Sequence, residues 1–325
     1  MSETYETSRF DGIIGQNKAK RKLDFYVDSW QRSNLLPNMM FTASKGCGKT
    51  LMAKALAKEL QKSDWEKPKK YLEVNCASIK NAKSFFDELI IPSVHDRDVT
   101  ILFDEASELP QDVEMALLSI TNPNPNHRNS FAYDEFTFDF NFRRQTFMFA
   151  TSEPHKVFHA LMDRLDRIDL EDYTHDELGK IVALNIKDIE FDDGLLGDIA
   201  SVLRGNARGA QKMAEKIEMY LATKDGDTKR FDRKDWKKLC KTLGIIPLGL
   251  YPKELRVLRV LRDHRDVSLT RLGTKTGLTV QSLRQDYELF LQSHDLMEIT
   301  TAGRNITKEG REYLKEYEKD SSEEV

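Results

Sequence analysis

Two periods alternate along the chain, and they set out its fold. Met39, Met40 and Phe41 form an unbroken apolar run, the mark of a short strand buried on both faces. After a glycine-bearing loop, Met52, Leu56 and Leu60 recur every four residues and predict a helix from about Lys49. Residues 71–74, 99–105 and 145–152 predict further core strands. Phe136, Phe138, Phe140 and Phe142 alternate with polar residues, as a strand with one covered face does. Helical spacing fills the intervals at 16–32 (Leu23, Tyr26, Val27 and Trp30 on one side), 84–89 and 111–120; a polar connector is expected at 121–130. Strand and helix in this order predict an α/β core with a parallel sheet.

From Tyr173 the pattern becomes purely helical, at 176–188, 195–203, 207–222 and 231–243, which predicts a small helical lid. A Pro/Gly linker, Gly244 to Leu250, ends it. Beyond lie a helix at 252–263, a short helix at 269–276, a turn at Gly277 and a long helix opened by Thr279. Two short strands within 297–307, turning at Ala302-Gly303, and a helix at 308–318 complete a winged-helix pattern. The expected domains are a core at 1–172, a lid at 173–246, a winged helix at 247–320 and a disordered acidic tail at 321–325. Residues 1–9 are polar and expected to be mobile.

Composition narrows the class. Of 325 residues, 32% are charged and the net charge is −4, so any nucleic-acid surface must be local and not a global basic field. Across 250–320 acids and bases nearly balance. DNA binding there would rest on a few residues, with Arg304 on the wing and Arg284 on the long helix as candidates. Winged helices also serve as protein-interaction modules, and the residues leave both readings open. Three cysteines without metal or redox spacing, no leader segment and no membrane-length apolar run predict a soluble cytoplasmic protein with no membrane partner.

The chemistry gathers around the first strand. Gly46, Gly48, Lys49 and Thr50, between a strand and a helix, form a P-loop. Its glycines let backbone N–H groups curl around phosphates, the lysine reaches the β- and γ-phosphates, and the threonine hydroxyl holds Mg²⁺. The motif's first glycine is Ala43 here, which fits if its φ stays negative. About fifty residues on, a buried strand ends in Asp104-Glu105, the Walker B pattern: one carboxylate to organise Mg²⁺, the next to orient the attacking water. Thr151 or Ser152, ending a further strand, would sense the γ-phosphate or merely cap the strand. Arg164 is a candidate arginine finger or a partner for Asp163 or Asp166. Arg208 would lean onto phosphates or stay solvated at a helix start. Ile13 and Ile14 form either part of an adenine pocket or a hydrophobic staple.

In chain order, Phe10 to Gln16, the P-loop, Asp104-Glu105, Ala150-Thr151-Ser152, Asp163-Arg164, Asp172 to Leu178, Gly205-Asn206-Ala207-Arg208, Leu243 to Leu250 and the winged helix resemble the RuvB family. These are ATP-driven Holliday-junction branch-migration motors of the AAA+ superfamily. The similarity runs from about residue 8 to residue 318. It implies an αβα ATPase domain, a helical lid and a winged helix, assembled into a hexameric ring with ATP and Mg²⁺ between subunits. It further implies four-way-junction or duplex DNA and a RuvA-like junction-binding protein as partners. On this resemblance Ile14, Gly46, Gly48, Lys49 and Tyr173 lie at the nucleotide, Thr50 and Asp104 at the metal, and Glu105 at the water. Thr151 or Ser152 is the first sensor and Arg208 the second, Arg164 acts in trans, and Arg304 touches DNA. The chain departs from the family at Ala43-Ser44-Lys45-Gly46 (Gly-Pro-Pro-Gly), at Ala160-Leu161-Met162 (Pro-Leu-Arg) and at Ile299 to Arg304 (Arg-Thr-Pro-Arg-Gly-Arg). Segment 121–145 covers the family's RuvA-docking hairpin and aligns poorly. The alternatives are an ATP-switched clamp loader or replication initiator, or a scaffold that binds nucleotide without hydrolysis.

Overall fold

A computed structural model describes residues 8–61, 69–224 and 230–322. Of the expected mobile start, residues 1–7 lie outside the described residues, as do 323–325 of the expected tail. The chain forms two compact units: residues 1–187 with 205–216, and 188–204 with 217–325.

The first unit is built on five parallel strands: β1 (Met39–Thr42), β2 (Lys70–Asn75), β3 (Val99–Asp104), β6 (Gln145–Thr151) and β7 (Asp166–Asp169). Their order is β2-β3-β6-β1-β7. Between β3 and β6 run β4 (Arg128–Tyr133) and β5 (Phe136–Asn141), which pair only with each other. Side chains alternate across the sheet, so both faces need cover. Met39, Phe41, Leu102, Met148 and Ala150 pack under helices α1 (Asn17–Ser33) and α2 (Lys49–Glu59). Met40, Ile101, Phe103, Phe147 and Phe149 pack against residues 82–94, helix Gln111–Ile120 and the β4–β5 hairpin. This is the expected αβα sandwich.

Four local expectations are corrected. The predicted helix at 84–89 is a single turn, Ala82–Ser84, followed by wide π-type turns over Phe85–Val94. Pro92 lies inside and cannot donate an i→i−4 bond. The polar connector hides β4, whose alternation is masked by Asn129 and Ser130. Phe131 and Tyr133 of β4 and Phe138 of β5 stack on Phe86, with ring centres 5.4, 4.3 and 5.3 Å away. β7 was not predicted because an edge strand with only Ile168 buried has no apolar run. The helix expected from Phe231 begins at Arg233, since Arg230–Phe231 pairs with Glu190–Phe191 as a short parallel ribbon.

In the second unit, helices Pro252–Asp263 and Leu269–Thr276, a helix over 280–293 with a π-type middle, and strands Met297–Ile299 and Arg304–Ile306 form the winged helix. Its core includes Leu255, Leu258, Leu272, Leu283, Leu291 and Leu314. The last helix continues to Ser322, so residues 321 and 322 of the expected tail are helical. Arg204 ends the segment 188–204 by docking here. Its guanidinium lies 2.9 and 3.3 Å from the two oxygens of Glu254 and 3.3 Å from the centre of the Phe290 ring. Glu254 is fully buried and also accepts the Tyr251 N–H that opens helix Pro252–Asp263. Among the described residues no helix is long and apolar enough to cross a membrane.

One buried cation stands out in the first unit. Lys69 is 7% exposed, donates to Thr146 Oγ1 at 3.1 Å and lies 5.9 Å from the Trp30 ring centre. Burial pushes its ammonium down to about 8, against the pull of Asp98. An unfolded lysine keeps its proton to about 10.4. Between those values the unfolded chain binds a proton that the folded chain has released, so Lys69's contribution to stability rises with pH, and its cost is full below pH 8. Lys69→Met is therefore expected to raise the first melting transition by several degrees at neutral pH, and by less near pH 9.5. Equal gains at both would assign the effect to packing alone.

Candidate nucleotide-binding site

Parallel strands deliver their carboxyl ends to one edge, and here the register aligns them: Thr42 beside Thr151, and Asp104 beside Ala150. β1 sits between two strands that follow it in the chain, a switch point of the kind where open α/β sheets hold ligands. A cleft of about 570 Å³ opens there.

The floor of the cleft is the loop from β1 to α2. Gly46 and Gly48 have φ of +85° and +91°, conformations that side chains resist. At Gly46 a second constraint applies, since a Cβ would come within 2.0 Å of Asn206 Oδ1. Asn206 is committed there: its Oδ1 accepts the N–H groups of Arg208 and Gly209 and caps the helix Ala207–Ala222. The same turn thus faces the loop and aims Arg208 at the cleft. Lys49 Nζ donates to the carbonyls of Ala43 and Ser44 at 2.9 and 3.1 Å. Burial lowers its pKa, opposed by Cys47 and Asp104 and reinforced by the cations Arg208 and Lys45. Converging positive charge of this kind suits a polyanion.

Thr50, in the first turn of α2, donates its hydroxyl to Asp104 Oδ2 at 2.8 Å. Glu105 follows in the left-handed region, φ +56°, with its carboxylate exposed at the cleft. A non-glycine residue held there carries backbone strain of about 1–3 kcal/mol, as functional residues often do. Thr151 and Ser152 both line the cleft. Thr151 is buried and its hydroxyl accepts the Glu153 N–H at 2.9 Å; Ser152 is half-exposed. Ile13, Ile14 and Tyr173 form part of the apolar side together with Ile181 and Leu184. Gln16 pins this side by exchanging two hydrogen bonds with the Glu171 backbone, at 2.7 and 2.9 Å.

The sequence-predicted residues Ile14, Gly46, Gly48, Lys49, Thr50, Asp104, Glu105, Thr151, Ser152, Tyr173 and Arg208 therefore meet in one cleft. Arg164 does not line it. Its Nη1 donates to Ala160 O, Nη2 to Asn122 Oδ1 at 3.4 Å, and Nε is buried without a partner. Arg284 is exposed on the winged helix. Arg304 is not free: Nε and Nη2 donate to the carboxylate of Glu288 at 2.8 and 3.4 Å, and Glu288 is 4% exposed. The wing carries an arginine turned onto its own domain. Sequence reasoning missed Asn206, Gln16, Ile181 and Leu184; an Asn just before a helical run was a readable cap for the first of these.

Residues 39–173 match the ATPase family associated with various cellular activities (AAA), and residues 247–315 match the RuvB C-terminal winged helix domain. The Holliday junction branch migration complex subunit RuvB of Kosmotoga olearia is 25% identical over 97% of this chain and 91% of its own. The RuvB subunit of Mycoplasmopsis pulmonis is 26% identical over 94% and 96%. The Thermotoga maritima RuvB Holliday junction branch migration motor shares the fold with a TM-score of 0.73, at 22% identity over 95% of this chain and 97% of that one. With an AAA domain and a RuvB-type winged helix in that order, this chain is a divergent, RuvB-like AAA+ protein.

Proposed function

We propose that this chain is an ATPase that works as a ring and moves duplex DNA through four-way junctions. The observation that carries the reading is the Thr50–Asp104 pair, with Lys49 on one side and the strained Glu105 on the other. Thr50 and Asp104 are two oxygen donors at hydrogen-bond distance, and no group of three or more metal-ligating side chains occurs among the described residues. That fits Mg²⁺, which takes one or two protein ligands and fills its octahedron with phosphate and water. Bound there, the ion would draw charge from the β- and γ-phosphate oxygens.

The chain's own groups then divide the work. The loop N–H groups and Lys49 hold the phosphates, Arg208 closes from the helix start, and Glu105 orients water for in-line attack. Thr151 or Ser152 reads the γ-phosphate. Ile14 and Tyr173 support an adenine-sized apolar surface, with Ile181 and Leu184. Arg164 lies off its own cleft with an unpartnered Nε, which supports a role toward a neighbouring protomer's nucleotide. The docking of Arg204 onto the winged helix gives segment 188–204 a rigid hold on that domain, so changes at the following turn, 205–208, would be passed on to DNA. A RuvA-like protein remains the proposed loading partner, with the β4–β5 hairpin as its proposed contact.

The test is ATP hydrolysis with and without a synthetic four-way junction, with junction dissociation followed in parallel. Turnover stimulated by the junction and accompanied by strand separation is expected. Lys49→Ala should lose nucleotide binding. Glu105→Gln should bind but turn over at least about a hundredfold more slowly. Arg164→Ala should bind normally and lose about a thousandfold in the assembled protein. A dilute monomer as fast as the ring would sink the Arg164 role, and turnover without junction movement would favour a loader or initiator.

DNA contact on the winged helix gives a separate outcome. Arg304→Ala should lower the melting temperature, because it leaves Glu288 buried and unpaired. The slope of log affinity against log salt should not move. Arg284→Ala should make that slope shallower by about one and leave stability unchanged.

A further inference from the structure

We propose that Glu114 is the positioning residue for Arg164. The inference rests on the reading of Arg164 as a group offered to a neighbouring protomer's nucleotide, and deepens it.

The path between the two residues is continuous. Glu114 sits in the helix Gln111–Ile120, among Val113, Ala116 and Leu117, and is 9% exposed. Its Oε1 accepts the N–H of Phe158 at 2.9 Å. Phe158 opens the single turn His159–Met162, and its carbonyl in turn accepts the N–H groups of Leu161 and Met162. Arg164 N–H donates to Leu161 O, and Arg164 Nη1 folds back to Ala160 O. The far end is tethered as well, through Arg164 Nη2 to Asn122 Oδ1 just beyond the same helix. Residues 111–122 therefore grip the arginine's segment at both ends.

Four residues are too few for a turn to hold itself, because an isolated helical nucleus is unfavourable. Its first N–H groups have no partner within the turn. Glu114 supplies the partner for Phe158. Burial raises the pKa of this carboxyl, and the Phe158 N–H only partly offsets this. A neutral amide would accept the same bond at less desolvation cost. What matters is thus the acceptor at that point in space. The helix it rides on follows directly from the Asp104-Glu105 turn through Ala106–Glu108, so a protomer's own carboxylate turn and the arginine it presents share one support.

Steady-state turnover of the assembled protein, with KM for ATP, separates the outcomes. Glu114→Met, similar in volume but without an acceptor, is expected to lower kcat about tenfold and leave KM within about twofold. Glu114→Gln keeps the acceptor and should stay within about twofold of the parent in both. The double variant Glu114→Met with Arg164→Ala should be no slower than Arg164→Ala alone. Parental kcat in Glu114→Met, or a double variant slower than Arg164→Ala, would overturn the proposal while the Arg164 reading stands. Parental turnover in Arg164→Ala would overturn both. Should Glu114→Met fail to fold, the exposed tether carries the test: Asn122→Ala is expected to lower kcat at constant KM, and no change would count against the proposal.

Discussion

Strands buried on both faces can be polar only where they end. β3 and β6 are enclosed along almost their whole length, and Thr100 and Thr146 are minor exceptions among apolar neighbours. Chemistry is thereby confined to the carboxyl edge, where Thr42 pairs with Thr151 and Asp104 lies beside Ala150, the residue before Thr151. The Thr50–Asp104 hydrogen bond closes that edge against the first turn of α2. The cleft, its charge and the placement of Glu105 follow from this confinement.

The parts legible in the sequence were those whose meaning is local. An apolar run followed by glycines and Lys49-Thr50 specifies its own geometry, and so does a buried run ending in two acids. The parts that stayed hidden are defined by partners far along the chain. β4 is a strand because Phe86, some forty-five residues earlier, offers a ring to stack on. β7 is a strand because β1 has a free edge, and its own residues scarcely argue for it. Arg304 shows the limit most clearly. Its position on the wing was readable from the pattern, but its engagement by Glu288 depends on how a helix with a π-type middle turns. Proximity in sequence to a functional pattern is no measure of a side chain's freedom.

Two turns carry more than their length suggests. Segment 205–208 caps a helix, crowds the loop at Gly46 and presents Arg208. Segment 158–164 holds an arginine by its backbone and by borrowed acceptors. In both cases a short stretch with little intrinsic order is fixed by side chains from elsewhere, and so responds to whatever moves them.

The Arg204–Glu254 pair has an evolutionary consequence. Glu254 is sealed from water, stacked partners cover the guanidinium, and the same carboxylate opens a helix. Losing either residue alone strands a buried charge at a cost of about 3–5 kcal/mol, a large share of an ordinary domain's stability. Drift through single substitutions is blocked at both positions. Across relatives the two should be inherited as a unit, replaced together by an apolar pair or kept together, and their joint history would mark which descendants keep segment 188–204 fastened to the winged helix.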